Sequence, residues 1–208
     1  MYKYTFTVRL GDKEVNCRAF TLKEYLGLIG ARATGTIESA VNNIITNCSN
    51  AKNLTKQEAE LLLVNLWAHS LGEVNQEHTW NCSCGHSFQV YMNLLHTQLD
   101  EQADPWYSFN GIKIKFRQPK LFDDKNIALM IASCIEAVFV NGESIPVEDL
   151  TEAEINDLYG LITEDDMINI KNLLVSPSIY LATPIKCPKC GASHVHTIRG
   201  LKEFFELL

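Results

Sequence analysis

Polar and apolar residues alternate from the start of the chain, with Tyr2, Tyr4, Phe6 and Val8 on one face and Lys3, Thr5, Thr7 and Arg9 on the other. That period of two predicts a half-buried strand. Gly11-Asp12 supplies a hairpin turn, and Val15, Cys17 and Ala19 alternate with Glu14, Asn16 and Arg18 on the return. Between Thr21 and Asn47 the spacing lengthens to that of two helices broken near Gly30 to Gly35. Leu22, Leu26 and Ile29 mark the first, and Ile37, Val41, Ile44 and Ile45 the second. Thr55 and Glu58 form a capping box ahead of Leu61, Leu62, Leu63, Val64, Leu66 and Trp67, which predicts a helix of about four turns ending near Gly72. Its apolar arc is wide. Either this helix is central to its own fold, the commoner cause, or one stripe of it meets another protein.

Strand-like sequence returns at Val74 to Trp80, at Phe88, Val90 and Met92, and at Ile112, Ile114 and Phe116, where Lys113, Lys115 and Arg117 occupy the alternate positions. Phe122 to Phe139 reads as a helix passing into a strand, and Asn141-Gly142 as a turn. Thr151 with Glu154, and Thr163 with Asp165 and Asp166, open two further helices, the second stopped by Ser176-Pro177. Ile179 to Ile185 is extended, and Leu201, Phe204, Phe205 and Leu208 share one face of a terminal helix. The pattern predicts an α+β chain. Its parts are an N-terminal hairpin and helical region (1–73), strands around a first cysteine pair (74–118), a helical insertion (119–177), and a second cysteine pair with a C-terminal helix (178–208). All four are expected to form one cooperative body.

Hydrophobic residues make up 46% of the 208 positions and charged residues 21%, which excludes wholesale disorder. A formal charge of −7 opposes general attraction to nucleic-acid phosphates or anionic membranes. The first residues lack the pattern of a secretory signal, and the longest apolar stretch, Ile127 to Val140, contains Glu136. The expectation is a soluble intracellular chain with no membrane insertion. No phosphate-binding glycine loop, nucleophile elbow or His-Glu-x-x-His helix is present, and nothing brings a base, nucleophile or metal-binding histidine to Glu164, Asp165 and Asp166. No catalytic residue and no small-molecule substrate are therefore expected.

The seven cysteines, an odd number, fit reduced thiols better than a disulfide framework. Cys17, Cys48 and Cys134 are isolated and read as inert. Cys82-Ser83-Cys84-Gly85 and Cys187-Pro188-Lys189-Cys190-Gly191 each present two sulfurs from a tight turn, with a glycine free to turn the chain back and strand-like sequence on either side. Together Cys82, Cys84, Cys187 and Cys190 make a closed tetrahedral set for structural Zn²⁺, a split zinc-ribbon-like subdomain whose halves lie about a hundred residues apart, a separation that loop entropy tolerates. Fe–S ligation or reversible disulfide chemistry are the alternatives for the same sulfurs. His86, His194 and His196 lie near enough in sequence to replace or hydrogen-bond a sulfur, though on strands they more simply decorate the ribbon's faces. A catalytic zinc would need an open coordination position, which four cysteines fill. A nucleic-acid-binding ribbon is the alternative function, and for it the chain offers only Lys113, Lys115 and Arg117 and a scatter at Lys186, Lys189, Arg199 and Lys202.

The order of these motifs resembles a known family. Leu54-Thr55 through the leucine-rich helix to Trp67-Ala68-His69-Ser70-Leu71-Gly72-Glu73, then Cys82-x-Cys84-Gly85 and Asn93-Leu94, is similar to the baseplate proteins of T4-like bacteriophages. The Phe139 to Pro146 turn, Cys187-Pro188-Lys189-Cys190-Gly191 and Gly200-Leu201-Lys202-Glu203-Phe204-Phe205 extend the resemblance over most of the chain. It implies a late phage protein without enzymatic activity, acting in the cytoplasm of the infected bacterium to help build the central hub of the tail baseplate. Other hub proteins would be its partners. Whether it works as a transient chaperone or stays in the virion is left open by the resemblance.

Overall fold

A computed structural model of the chain describes residues 4–72, 74–101 and 104–206, the side chains at 205 and 206 excepted. Tyr2, Lys3, Glu73, Leu208 and the side chain of Phe205, used above, lie outside the described residues. In chain order the elements are β1 (Thr5–Leu10), β2 (Lys13–Arg18), α1 (Leu22–Thr34), α2 (Ile37–Cys48), α3 (Lys56–Leu71), β3 (Asn75–Asn81), β4 (Ser87–Asn93), β5 (Gln98–Leu99), β6 (Trp106–Phe109), β7 (Ile112–Phe116), α4 (Ile127–Cys134), β8 (Ile135–Val140), β9 (Glu143–Pro146), α5 (Glu152–Leu161), α6 (Glu164–Val175), β10 (Ile179–Lys186), β11 (Ser193–Arg199) and α7 (Gly200–Glu206). The α+β class and the N-terminal hairpin followed by helices are as the pattern predicts. Two compact units result: Met1–Asp100 with Ser178–Leu208, and Glu101–Pro177.

The first unit is built around α3. Thr55 and Glu58 exchange the two bonds of a capping box, the Glu58 carboxylate accepting the Thr55 N–H at 2.9 Å. Leu62, Leu66 and Ala68 are fully buried, and Leu61, Leu63 and Val64 nearly so. A helix apolar most of the way round is a central one, so the wide arc is covered by the chain's own residues. Val8 and Leu10 of the β1–β2 hairpin, Met92, Ile179 and Phe204 belong to the same core. Lys13 Nζ, 2.7 Å from Glu58 Oε1, ties that hairpin to the start of α3.

A second capping box, unread in the sequence, opens α1. Thr21 accepts the Glu24 N–H, while Glu24 accepts the Thr21 N–H at 2.7 Å and a two-pronged bond from Arg18 at 2.7 and 3.0 Å. The Arg18 guanidinium, with the Thr21 donors, holds the Glu24 carboxyl down to about 2. Because the folded value lies below that of an unfolded glutamate, the pair stabilises the fold at neutral pH, and that contribution disappears as pH falls from about 4 through about 2. Solvent reaches both side chains, so Glu24→Gln is expected to cost only about 1 kcal/mol at pH 7. In urea titrations the gap from wild type should narrow towards pH 2; a constant gap would rule out the ion pair as its source.

The second unit holds an antiparallel sheet in the order β6-β7-β8-β9. Ile114, Phe116 and Val138 pack with Met130, Ile131, Leu158, Ile170 and Leu174 of the helices in one core. The unit therefore begins at Glu101 and carries a sheet, where the pattern predicted a helical insertion from residue 119. β6 and β7, grouped above with the first cysteine pair, pair with each other, and β7 pairs with β8 through Ile114↔Val138. Alternation identifies a strand but not its partner, which explains the difference. Lys113 Nζ sits 4.3 Å from the centre of the Trp106 ring, and Lys115 Nζ 2.8 Å from Glu136. Two of the three clustered cations are thus engaged inside their own unit.

Candidate metal centre

Two hairpins of the first unit carry the paired cysteines at their tips. β3 and β4 run antiparallel from Asn75↔Asn93 to Asn81↔Ser87, with Cys82 to His86 as the turn. β10 and β11 run from Tyr180↔Arg199 to Lys186↔Ser193, with Cys187 to Ala192 as theirs. Each turn is closed in the same way. Cys82 N–H donates to His86 O and Gly85 N–H to Cys82 O, both at 2.9 Å; Cys187 N–H donates to Ala192 O and Gly191 N–H to Cys187 O, again at 2.9 Å. Gly85 and Gly191 adopt φ of +78° and +73°, a region that glycine enters without a Cβ penalty. The Cys-x-Cys turn is one residue shorter than Cys-x-x-Cys yet ends on the same hydrogen bonds, so the less common spacing is no obstacle to matching the other.

The four sulfurs converge. Cys82 Sγ lies 3.7 Å from Cys190 Sγ, Cys84 Sγ lies 3.7 Å from Cys187 Sγ, and all four are within 4.8 Å of one another. A disulfide would require about 2.05 Å, and all seven cysteines are free. A tetrahedron with metal–sulfur bonds of about 2.3 Å has edges of about 3.8 Å. The observed pairs match that edge. Cys82 and Cys187, the first of each pair, are buried, while Cys84 and Cys190 are exposed, so the two turns contribute equivalently from opposite hairpins.

Electrostatics divide the sulfurs in a way that a cation would resolve. Backbone N–H groups of Cys190 and Lys189, with contributions from the sulfurs of Cys190 and Cys82, draw the Cys187 thiol down to about 6 despite some desolvation. Cys84 accepts the His86 N–H, which favours its thiolate, but desolvation and the three neighbouring sulfurs together push it up to about 12. Sulfurs this close cannot all carry charge unless a positive ion sits among them. The isolated cysteines differ. Burial, then the neighbouring Cys48, pushes the Cys17 thiol up to about 11, and burial raises Cys134, as expected of inert thiols.

Of the three nearby histidines, His194 reaches the cluster, with Nε2 3.5 Å from Cys82 Sγ. A proton on Nε2 would be donated to the sulfur. His196 stacks on His78 at 4.7 Å and lies beside Trp80, while His86 stacks on Phe88. The cationic scatter near the second turn is partly engaged as well, since Arg199 makes a salt bridge of 2.8 Å with Asp100.

Comparison with known proteins agrees over the whole chain. A family model described as T4 bacteriophage base plate protein matches residues 1–206. The baseplate hub assembly protein gp26 of Enterobacteria phage T4 is 62% identical over 208 residues, covering all of both chains. No solved structure matches the chain significantly.

Proposed function

This chain belongs to the T4 bacteriophage base plate protein family, and on that footing we propose that it is a non-enzymatic assembly factor or chaperone for the hub of the tail baseplate. The observation that carries the reading is the full-length identity with a protein named for hub assembly. The factor works in the cytoplasm of the infected bacterium while the virion is built, and its partners are hub subunits. Structural Zn²⁺ held by Cys82, Cys84, Cys187 and Cys190 staples its two hairpins into a split ribbon. Support for the metal comes from the converging sulfurs, their tetrahedral spacing and the backbone N–H groups aimed at Cys187. The ion's part is to fix the fold, since four thiolates complete its coordination and leave no position for a substrate.

Co-expression of the tagged chain with the hub subunits of the same phage tests both statements in one sample. Expected are retention of at least one hub subunit through purification and about one zinc per chain by elemental analysis. If no hub subunit is retained, the assembly role fails. If the retained complex carries iron or no metal, the zinc assignment fails.

A further inference from the structure

The first helix has two apolar faces, and only one of them is used inside the chain. Tyr25, Leu28 and Ala31 turn inward, Ala31 buried and the other two packed on the core. Leu22, Leu26 and Ile29 are 72%, 58% and 50% exposed, and Ala33 is exposed beside them. Their spacing of four, three and four residues is that of alternate d and a positions in a coiled-coil seam. On the same scale Lys23 falls at e and Arg32 at g, flanking the seam from opposite sides, and both are exposed. Glu24 faces away from the seam and is bound to Arg18. A continuous seam flanked by cations is unexpected on a chain of net charge −7.

Resting on the assembly role argued above, we propose that the outward face of α1 docks an amphipathic helix of a hub subunit, one with apolar a and d positions and acidic residues flanking them. Helix pairing of this kind reads i, i+4 and i+7 anchors into a matching apolar face, and the e and g charges select the partner. The flanking charges favour a different chain over a second copy of this one: both are positive, and a second copy would bring cations to cations. Four seam positions on a 13-residue helix offer a few hundred Å² at most, below the roughly 800 Å² per partner of a standard interface, so α1 is one part of the contact with the hub subunit. Gly30, at the other e position, has nothing within 4 Å of where a Cβ would stand, which leaves room for a partner's backbone beside the seam.

The test uses the full chain and two synthetic probes: three-heptad helical peptides with leucine at a and d, one carrying glutamate at e and g, the other lysine. At physiological salt the screening length is about 8 Å, so charges close to the seam dominate. The net charge of the protein favours the lysine peptide, and the proposed flanks favour the glutamate peptide. Expected is at least tenfold tighter binding of the glutamate peptide, lost at least tenfold in the Leu26→Asp/Ile29→Asp variant and kept in Leu129→Asp, an exposed leucine of the second unit. An unchanged melting temperature for Leu26→Asp/Ile29→Asp verifies that its fold is intact; should it fall, Leu26→Ser/Ile29→Ser replaces it. Equal or weaker binding of the glutamate peptide, or binding indifferent to the variants, overturns the proposal. So does a wild-type dimer in light scattering that the variant abolishes, which would make a second copy the occupant. In co-purification with hub subunits, the variant should lose the subunit that wild type retains, and equal retention counts against the seam. If wild type itself retains none, the assembly role fails, and the peptides alone decide what α1 binds.

Discussion

Replacing Cys82 and Cys187 together by serine should abolish the proposed metal binding and unfold the first unit, with a chain that aggregates and no longer joins its proposed hub partners. Structural zinc is worth about 10–16 kcal/mol in small peptides, as much as the 5–15 kcal/mol that separates a typical folded domain from its unfolded state. Both cysteine pairs lie in the unit made of Met1–Asp100 and Ser178–Leu208, so the ion would close a loop around the whole of Glu101–Pro177. The single variants should be graded. Serine at Cys82 or Cys187 places a hydroxyl in a buried position, whereas Cys84 and Cys190 are exposed, and their loss leaves three sulfurs with a position that water can fill. Cys84→Ser and Cys190→Ser should therefore keep a weaker site and a smaller loss of thermal stability. Elemental analysis and thermal melts with and without excess chelator measure the order. A Cys82→Ser/Cys187→Ser chain that is folded, metal-free and fully competent in hub assembly would sink the zinc staple.

How much of this could be read beforehand depended on whether the signal was local. The capping boxes at Thr55/Glu58 and Thr151/Glu154, the strands that alternate strictly, and the two cysteine turns are each written within a few residues, and each takes the predicted form. The convergence of Cys82 with Cys190 was legible because four thiols of like chemistry in two pairs have few other uses. Pairing of β7 with β8 was not, since nothing in Ile112–Phe116 distinguishes Ile135–Val140 from any other apolar strand. The approach of His194 to Cys82 depends on the stagger between two hairpins, which no spacing within either one encodes. Helix α1 shows the limit most clearly. A period near 3.6 identifies apolar positions, and Leu22, Leu26 and Ile29 read naturally as the inward face, but the fold buries Ala31 and packs Tyr25 and Leu28 instead. Hydrophobic spacing records that a surface is to be covered, whether by the same chain or by another.

Phe204→Ala should be among the costliest single changes outside the cysteines. Phe204 is 1% exposed and lies in the core that α3 organises, and removing so large a buried ring typically costs about 3–5 kcal/mol through lost transfer energy and the cavity left behind. The site has little freedom to collapse around the gap. Glu203 accepts the Arg199 N–H at 2.7 Å, and the Arg199 guanidinium bonds both carboxylate oxygens of Asp100 at 3.1 and 2.8 Å. Asp100 in turn accepts the Ser178 N–H at 3.1 Å, so α7 is fixed to the two points where the second unit leaves the first and returns to it. Phe204→Leu, which keeps most of the apolar volume, should cost about 1 kcal/mol or a little more. In urea the Ala variant should show a much lower midpoint with an unchanged slope, which marks lost stability without a changed extent of unfolding. Were α7 instead a docking element for a hub subunit, Phe204→Ala would leave the midpoint where it was and release the subunit, the opposite pair of results.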